Sequence, residues 1–183
     1  MSSGYIVKGA KVALRKTNRA DIAHYIKWKN PNLKAWSLDA PWANHNLTAI
    51  INWRKRWLNE GSKPPYRFLE VEASDGTHVG WVVVYHDDGD PHMTEIGIDI
   101  PEEGYWGQGI GTEALALWIQ YIFETMQVER LSLSTWSGNQ GMIKVGQKLG
   151  FQEEGRIRRG CRVDYQYYDR IHMGLLKTEW HRG

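Results

Sequence analysis

The sequence YWGQGIGTEA, residues Tyr105–Ala114, stands between a strand-like run at Met93–Ile100 and a helix-like run at Ala114–Met126. Its glycines occupy the alternate positions 107, 109 and 111, where no side chain keeps a ligand away from the backbone. The N-terminus of the following helix directs its free N–H groups toward the same loop, and bare amides of this kind bind anions, most often phosphate. The sequence therefore predicts that this loop binds a phosphorylated molecule.

The hydrophobic pattern outside the loop predicts one mixed α/β domain over residues 1–183. Alternating apolar residues indicate strands, apolar residues at three- and four-residue steps indicate helices, and the Asp75-Gly76 pair indicates a hairpin. The predicted order is a strand, two helices, three strands, a helix, a strand, a helix and two strands. The predicted strands are 5–14, 66–73, 78–86, 93–100, 131–136 and two within 151–177, and the helices begin near Thr17, Thr48, Ala114 and Asn139.

Composition narrows the class of protein. With 42% hydrophobic residues among 183, the chain can bury a core, and 23 basic against 21 acidic residues give a net charge of only +2. So small a charge predicts no nucleic-acid partner. The single cysteine, Cys161, excludes an internal disulfide and favours a reducing, cytoplasmic location, and the absence of a long apolar run predicts no signal peptide and no membrane partner. The seven histidines show no metal-ligand spacing, so no metal is predicted.

Tryptophans are concentrated in the first third of the chain, at Trp28, Trp36, Trp42, Trp53 and Trp57. Two interpretations are open for them. They form a bulky core, or they line an aromatic-walled pocket, because tryptophan combines a large contact area with few rotatable bonds.

Two common phosphate-binding loops do not fit the glycine pattern. A Walker loop requires Gly-Lys followed by Ser or Thr, which Tyr105–Ala114 lacks. A dinucleotide fingerprint requires Gly-x-Gly-x-x-Gly after the first strand of a βαβ unit, whereas these glycines follow the fourth predicted strand at a different spacing. Nucleotide binding is therefore an alternative that the sequence disfavours.

Two longer motifs resemble a known family. Ile96–Ala114 followed by Asn139–Phe151 is similar to the GNAT N-acetyltransferase family, and most similar to its branch of ribosomal-protein N-terminal acetyltransferases, the RimJ and RimL type. Tyr167–Asp169 and Met173–Leu176 resemble the C-terminal strand of that branch. The resemblance is sharp from about residue 66 and loose before it.

The resemblance implies a fold and a separate role for each of two parts of the chain. The expected fold is a twisted, mostly antiparallel sheet of about seven strands with helices on both faces. The sheet is expected to splay between its fourth and fifth strands, here Met93–Ile100 and Leu131–Trp136. Residues 1–65 would form the acceptor side and residues 66–183 the acetyl-CoA-binding core. Relatives are monomers or homodimers, and we expect one of these states.

The resemblance also implies acetyl-CoA as co-substrate. Its pantetheine arm would pair with the strand near Ile98 and Ile100, because unpaired strand edges need hydrogen-bond partners. Asn139 would reach the same arm, or serve as a helix N-cap, and the two roles are compatible. The backbone amides expected to hold the pyrophosphate are those of Gln108, Gly109, Ile110, Gly111 and Thr112.

The implied reaction is direct attack of a primary amine on the thioester in a ternary complex. The acceptor would be a protein N-terminus or a small-molecule amine. Such an amine must lose a proton, and Glu95 is the first candidate for the base, because strand alternation places it on one face with Gly97 and Asp99. A solvent-facing carboxylate is the alternative for Glu95, and the rival candidates for the base are His86, Asp87 and Asp88.

One position departs from the family pattern. Some relatives carry serine, a proton donor to the departing thiolate, three residues after the asparagine, where this chain has Met142. Tyr168 or a water molecule is then the candidate acid. Met142 also keeps open a second function, a non-catalytic acyl-CoA-binding module of the same fold.

Overall fold

The computed structural model describes residues 4–39, 63–86 and 94–181, together with positions 41, 48 and 52. Eight strands form one sheet in the order β1-β2-β3-β4-β5-β6-β8-β7, in which only the β5–β6 pairing is parallel. The strands are β1 (Tyr5–Lys8), β2 (Val12–Arg15), β3 (Phe68–Ala73), β4 (His78–His86), β5 (Thr94–Asp99), β6 (Arg130–Trp136), β7 (Gln152–Val163) and β8 (Gln166–Leu176). The helices are α1 (Asp21–Lys27), α2 (Lys34–Leu38), α3 (Ile110–Thr125) and α4 (Gln140–Lys148), with 3₁₀ turns at Glu103–Tyr105 and Lys177–Glu179. The mixed α/β prediction is confirmed.

The sheet has one strand more than the seven expected, because the predicted strand 5–14 is a hairpin. The chain turns after β1, where the N–H of Gly9 donates to the carbonyl of Val12 at 2.8 Å. A Cβ at Gly9 would overlap the carboxylate of Glu113 on α3, so a larger residue there would have to displace that side chain. The fourth and fifth predicted strands are consequently β5 and β6.

Helices cover both faces of the sheet, as predicted. Buried Leu115, Trp118, Ile119 and Ile122 of α3 pack in the larger core cluster, on one face of β2 to β6. The opposite face of β3 and β4 packs against α1 and α2 in a smaller cluster of Tyr25, Trp28, Ala35, Trp36, Phe68 and Trp81.

The core interpretation is therefore confirmed for Trp28 and Trp36, whereas Trp42, Trp53 and Trp57 lie outside the described residues. The helix predicted from Thr48 lies there too, apart from single helical positions at 48 and 52. None of the helices in the described part of the chain is long and apolar enough to span a membrane.

The sheet opens between its two parallel strands. β5 pairs with β6 only at Thr94–Leu131 and Glu95–Ser132, while its other edge stays paired with β4 along the whole strand. Beyond Glu95 the two strands diverge, and the β6 side of β5 has no strand partner among the described residues. This opening between β5 and β6 forms the candidate functional site.

Candidate active site

A cavity of about 660 Å³ occupies the gap between β5 and β6. Its walls come from β5, the glycine loop, the first turn of α3, β6, α4 and the end of α2, and a volume of this size suits a bound small molecule. Most of the residues predicted for the site line it. They are Glu95, Ile98, Ile100, Gly109, Ile110, Gly111, Thr112 and Asn139.

The glycine loop exposes the start of α3. Gly107 and Gly109 have φ angles of +75° and +83°, a left-handed conformation that favours glycine, and Gly109 is the N-cap of the helix without a side-chain cap bond. A Cβ at Gly107 or Gly111 would meet no protein atom within 4 Å. Packing within the chain therefore leaves room for a side chain at 107 and 111, and the absence of one leaves the backbone amides open to a ligand.

Lys11, in the turn between β1 and β2, ties that turn to the loop. Its Nζ donates to the carbonyl of Gln108 at 2.7 Å, and its backbone N–H donates to the Glu113 carboxylate at 2.9 Å. Glu113 thus joins the helix start to the hairpin. The side chain of Gln108 turns back to the carbonyl of Gly104, and Gln108 itself is not among the cavity-lining residues. Sequence reasoning missed Lys11 because 102 positions separate it from Glu113.

Asn139 holds α4 in place. Its Oδ1 accepts the N–H of Met142 at 3.0 Å, so the N-cap role is confirmed, and its Nδ2 donates to the carbonyl of Leu38 at 3.1 Å. Trp136 Nε1 donates to the same carbonyl at 2.8 Å. The end of α2 is therefore fastened across the opening to β6 and α4.

Glu95 lies on the face of β5 predicted from alternation. Ile96 packs into the α3 side of the sheet, while Glu95, Gly97 and Asp99 face the other way. Tyr85 stands opposite Glu95 on β4, and its ring fills the space above Gly97, where a Cβ would clash. Of the rival bases, residues 87 and 88 and the side chain of residue 86 lie outside the described part of the chain.

Charged side chains of both signs line the cavity. The cations are Lys144 and Lys148, one turn apart on α4, and Arg170 of β8, and the carboxylates are those of Asp39, Glu95 and Asp99. A cavity lined by both signs of charge can bind an anion and a cation together. The three cations were not predicted, because their approach to the cavity depends on how α4 packs and on the register of β8.

The sequence also did not predict a hydroxyl–imidazole pair that lines the cavity. Ser134 on β6 and His172 on β8 are direct cross-strand partners, their Oγ and Nδ1 atoms are 3.1 Å apart, and both residues line the cavity. They share the face of Glu95, because Glu95 pairs with Ser132 and alternate residues of β6 point the same way. The pair adds a second group able to exchange a proton.

Two residues considered as reactive groups lie elsewhere. Tyr168 does not line the cavity; its hydroxyl donates to Gln166 at 3.0 Å, and its ring packs edge-on against Trp136. Cys161, its cross-strand partner, is buried, and burial raises the pKa of its thiol. A thiol with a raised pKa is a poor nucleophile.

Comparison with known proteins identifies the class of protein that this fold and cavity represent. Residues 11–152 match the model of the acetyltransferase (GNAT) domain. The chain therefore belongs to the GNAT family of acetyltransferases, and its relatives support the RimJ-like branch.

Three similar proteins illustrate the range of that family. YdaF of Bacillus subtilis, whose name assigns it provisionally to the ribosomal N-acetyltransferases, is 31% identical over 136 residues, 73% of this chain and 69% of YdaF. The spermidine N(1)-acetyltransferase of Escherichia coli K12 is 28% identical over 110 residues, 60% of this chain and 59% of the enzyme. Mycobacterium smegmatis RimJ, in complex with CoA-disulfide, superposes with a TM-score of 0.68 at 23% identity, covering 94% of this chain and 85% of RimJ.

Proposed function

We propose that this acetyltransferase moves the acetyl group of acetyl-CoA to a primary amine by direct attack in a ternary complex. The observation that supports it best is the cavity at the opening between β5 and β6, lined by the glycine loop at the start of α3 and by the carboxylate of Glu95 on β5. An anionic cofactor and a cationic acceptor can meet in this cavity beside β5.

The cavity offers groups that would bind the phosphates of CoA and groups that would bind its pantetheine arm. The pyrophosphate would accept hydrogen bonds from the amides of residues 108–112, next to the ammonium of Lys11, which lies within 2.7 Å of the Gln108 carbonyl. Lys144 and Lys148 would stabilise further phosphate charge. The pantetheine amides would pair with the backbone of β5 and the residue after it, at Ile98 and Ile100, where the Ile100 carbonyl also accepts a hydrogen bond from Trp106 Nε1, and Asn139 would stand beside them. RimJ, a structural neighbour, was solved with a CoA derivative.

Glu95 would act as the general base. It would take a proton from the bound ammonium, directly or through water, so that the neutral amine attacks the thioester carbon. The nitrogen of the adduct then loses its second proton to water as the C–S bond breaks, so the amide forms and CoA leaves as thiolate. Because Tyr168 lies off the cavity wall, we assign protonation of the thiolate to water, the other candidate from the sequence.

The acceptor would be a protein N-terminus or a small-molecule amine, both cationic at neutral pH. Asp39, Glu95 and Asp99 line the cavity with three carboxylates. Relatives named for a polyamine and for ribosomal substrates span both kinds of amine.

A second candidate function is a non-catalytic acyl-CoA-binding module, favoured by Met142 at a cavity position that cannot donate a proton. Thiol release from acetyl-CoA, measured against a panel of peptides and polyamines, separates the two. Turnover with any amine supports the enzyme. Tight CoA binding without turnover across the panel supports the module and contradicts our proposal.

A further inference from the structure

Two histidines and an aspartate meet outside the cavity, on the face of the sheet covered by α1. Asp21 and His24 are one turn apart on α1, and His78 begins β4. The side chains of Asp21 and His78 are each only 2% exposed, and His24 is half-buried. None of the three lines the cavity, so the proposed acetyl transfer does not use them.

The spacing of their polar atoms is that of metal ligands. His78 Nδ1 lies 3.2 Å from His24 Nδ1 and 3.3 Å from Asp21 Oδ1. One ligand atom from each residue lies within 4.8 Å of the others. Ligands about 2.0–2.1 Å from a tetrahedral Zn²⁺ are about 3.3 Å from one another. Two of the three separations already match that geometry.

The hydrogen bonds of His78 point to a cation at this position. Its Nε2 lies 2.9 Å from Glu70 Oε2 and 3.1 Å from the carbonyl of Gly80, and because both partners only accept, Nε2 carries the proton. Its other ring nitrogen, Nδ1, faces His24 Nδ1 and Asp21 Oδ1, so three atoms that can each bind a cation converge on one point.

The surrounding charges favour a divalent cation. Arg15 binds both oxygens of Asp21, at 2.7 and 2.8 Å, and also Glu72, while Glu70 is fully buried against His78. Three carboxylates and one guanidinium leave two negative charges when both histidines are neutral. Glu70 also supplies the carboxylate–histidine contact that orients metal-bound imidazoles.

We propose that Asp21, His24 and His78 form a binding site for one divalent transition-metal ion of the Zn²⁺ class, with water as the fourth ligand. Two nitrogens and one carboxylate oxygen are a ligand set that zinc accepts. The ion would fasten α1, a helix of seven residues that is too short to be stable alone, to β4.

The test uses the full chain without a histidine tag, stripped of metal and titrated with ZnCl₂ by isothermal titration calorimetry. We expect one Zn²⁺ per chain and a rise in the unfolding temperature. His24→Gln removes a half-buried ligand and should lose the site, whereas His181→Gln, at an exposed histidine near the C-terminus, should keep it. Circular dichroism checks that each variant is folded.

Cobalt provides a measurement that needs no variant. Co²⁺ added to the unmodified protein should give the visible absorption of a tetrahedral site, and one equivalent of Zn²⁺ should abolish it. No stoichiometric binding, or equal binding by His24→Gln and the unmodified chain, would overturn the proposal. Since no readout is acetyl transfer, either result leaves the proposed function standing.

Discussion

The ammonium of Lys11 donates a hydrogen bond to the carbonyl oxygen of Gln108 across 97 positions of sequence, at 2.7 Å. This contact places a positive charge beside the loop whose amides face the cavity. It also fixes the loop to the hairpin of β1 and β2. The proposed phosphate site is thus built by two distant parts of the chain.

Removing this charge should weaken CoA binding. We expect Lys11→Met to raise the CoA Kd by about tenfold, equivalent to about 1.4 kcal/mol, with little change in stability because the side chain is exposed. Calorimetric titration with CoA measures the change. Lys29→Met, at an exposed lysine just after α1, is the control and should bind CoA normally. An unchanged Kd in Lys11→Met would show that the Lys11 ammonium contacts the loop but contributes nothing to CoA binding.

A side chain at position 111 should block the loop. Gly111→Val puts methyl groups into space that the protein leaves open, so we expect the CoA Kd to rise at least about tenfold while the unfolding temperature changes little. Gly104→Val, also in open space but off the cavity wall, is the matched control. Gly109 is unsuitable, because valine at its φ of +83° strains the backbone and lowers stability as well. Wild-type CoA affinity in Gly111→Val would refute the phosphate loop.

Loss of the carboxylate at position 95 should slow the chemistry alone. We expect Glu95→Gln to lower kcat by a factor of about 10² to 10⁴, the usual contribution of a general base, with an unchanged CoA Kd. Thiol release and calorimetry measure the two quantities, and Glu129→Gln is the exposed control away from the cavity. If Glu95→Gln turns over normally, His172 with Ser134 becomes the leading base, and His172→Gln should then carry the loss.

Two substitutions at Asn139 distinguish the contributions of its two hydrogen bonds to stability. Asn139→Ala removes the cap of α4 and should lower the free energy of unfolding by about 1 kcal/mol. Asn139→Asp keeps an acceptor for the Met142 N–H but loses the donor to the Leu38 carbonyl, so it should recover most of that stability. Urea unfolding of the three proteins decides this. Equal stability of Asn139→Ala and the unmodified chain would mean that the cap bond contributes nothing measurable.

Ligand protection distinguishes CoA from nucleotides. CoA at about 100 times its Kd should stabilise the fold by about 2.7 kcal/mol and raise the unfolding temperature by several degrees, whereas ATP and NAD at equal concentration should have a much smaller effect. Differential scanning fluorimetry makes the comparison. Greater protection by ATP or NAD would favour the nucleotide-binding alternative instead.

Long-range packing accounts for what sequence reasoning missed. The apolar residues of 5–14 predicted one strand, whereas the chain reverses between β1 and β2, where the N–H of Gly9 donates to the carbonyl of Val12 and the N–H of Lys11 donates to Glu113 on α3. Ser134 and His172 are 38 positions apart, and only the β6–β8 register makes them neighbours. Tyr168 was placed at the site by resemblance, and the structure pairs it with Gln166 instead.

The sequence alone determined the mixed α/β class, the glycine loop, the α3 face and the direction of Glu95, because these depend on side-chain periodicity and glycine conformation within a few residues of chain. The tertiary structure decided where the sheet opens and which charged side chains line the cavity. It also brought His78 into contact with His24, 54 positions away in the sequence. Those features depend on strand register and helix docking. Both are set by burial summed over the whole core and have no local signature.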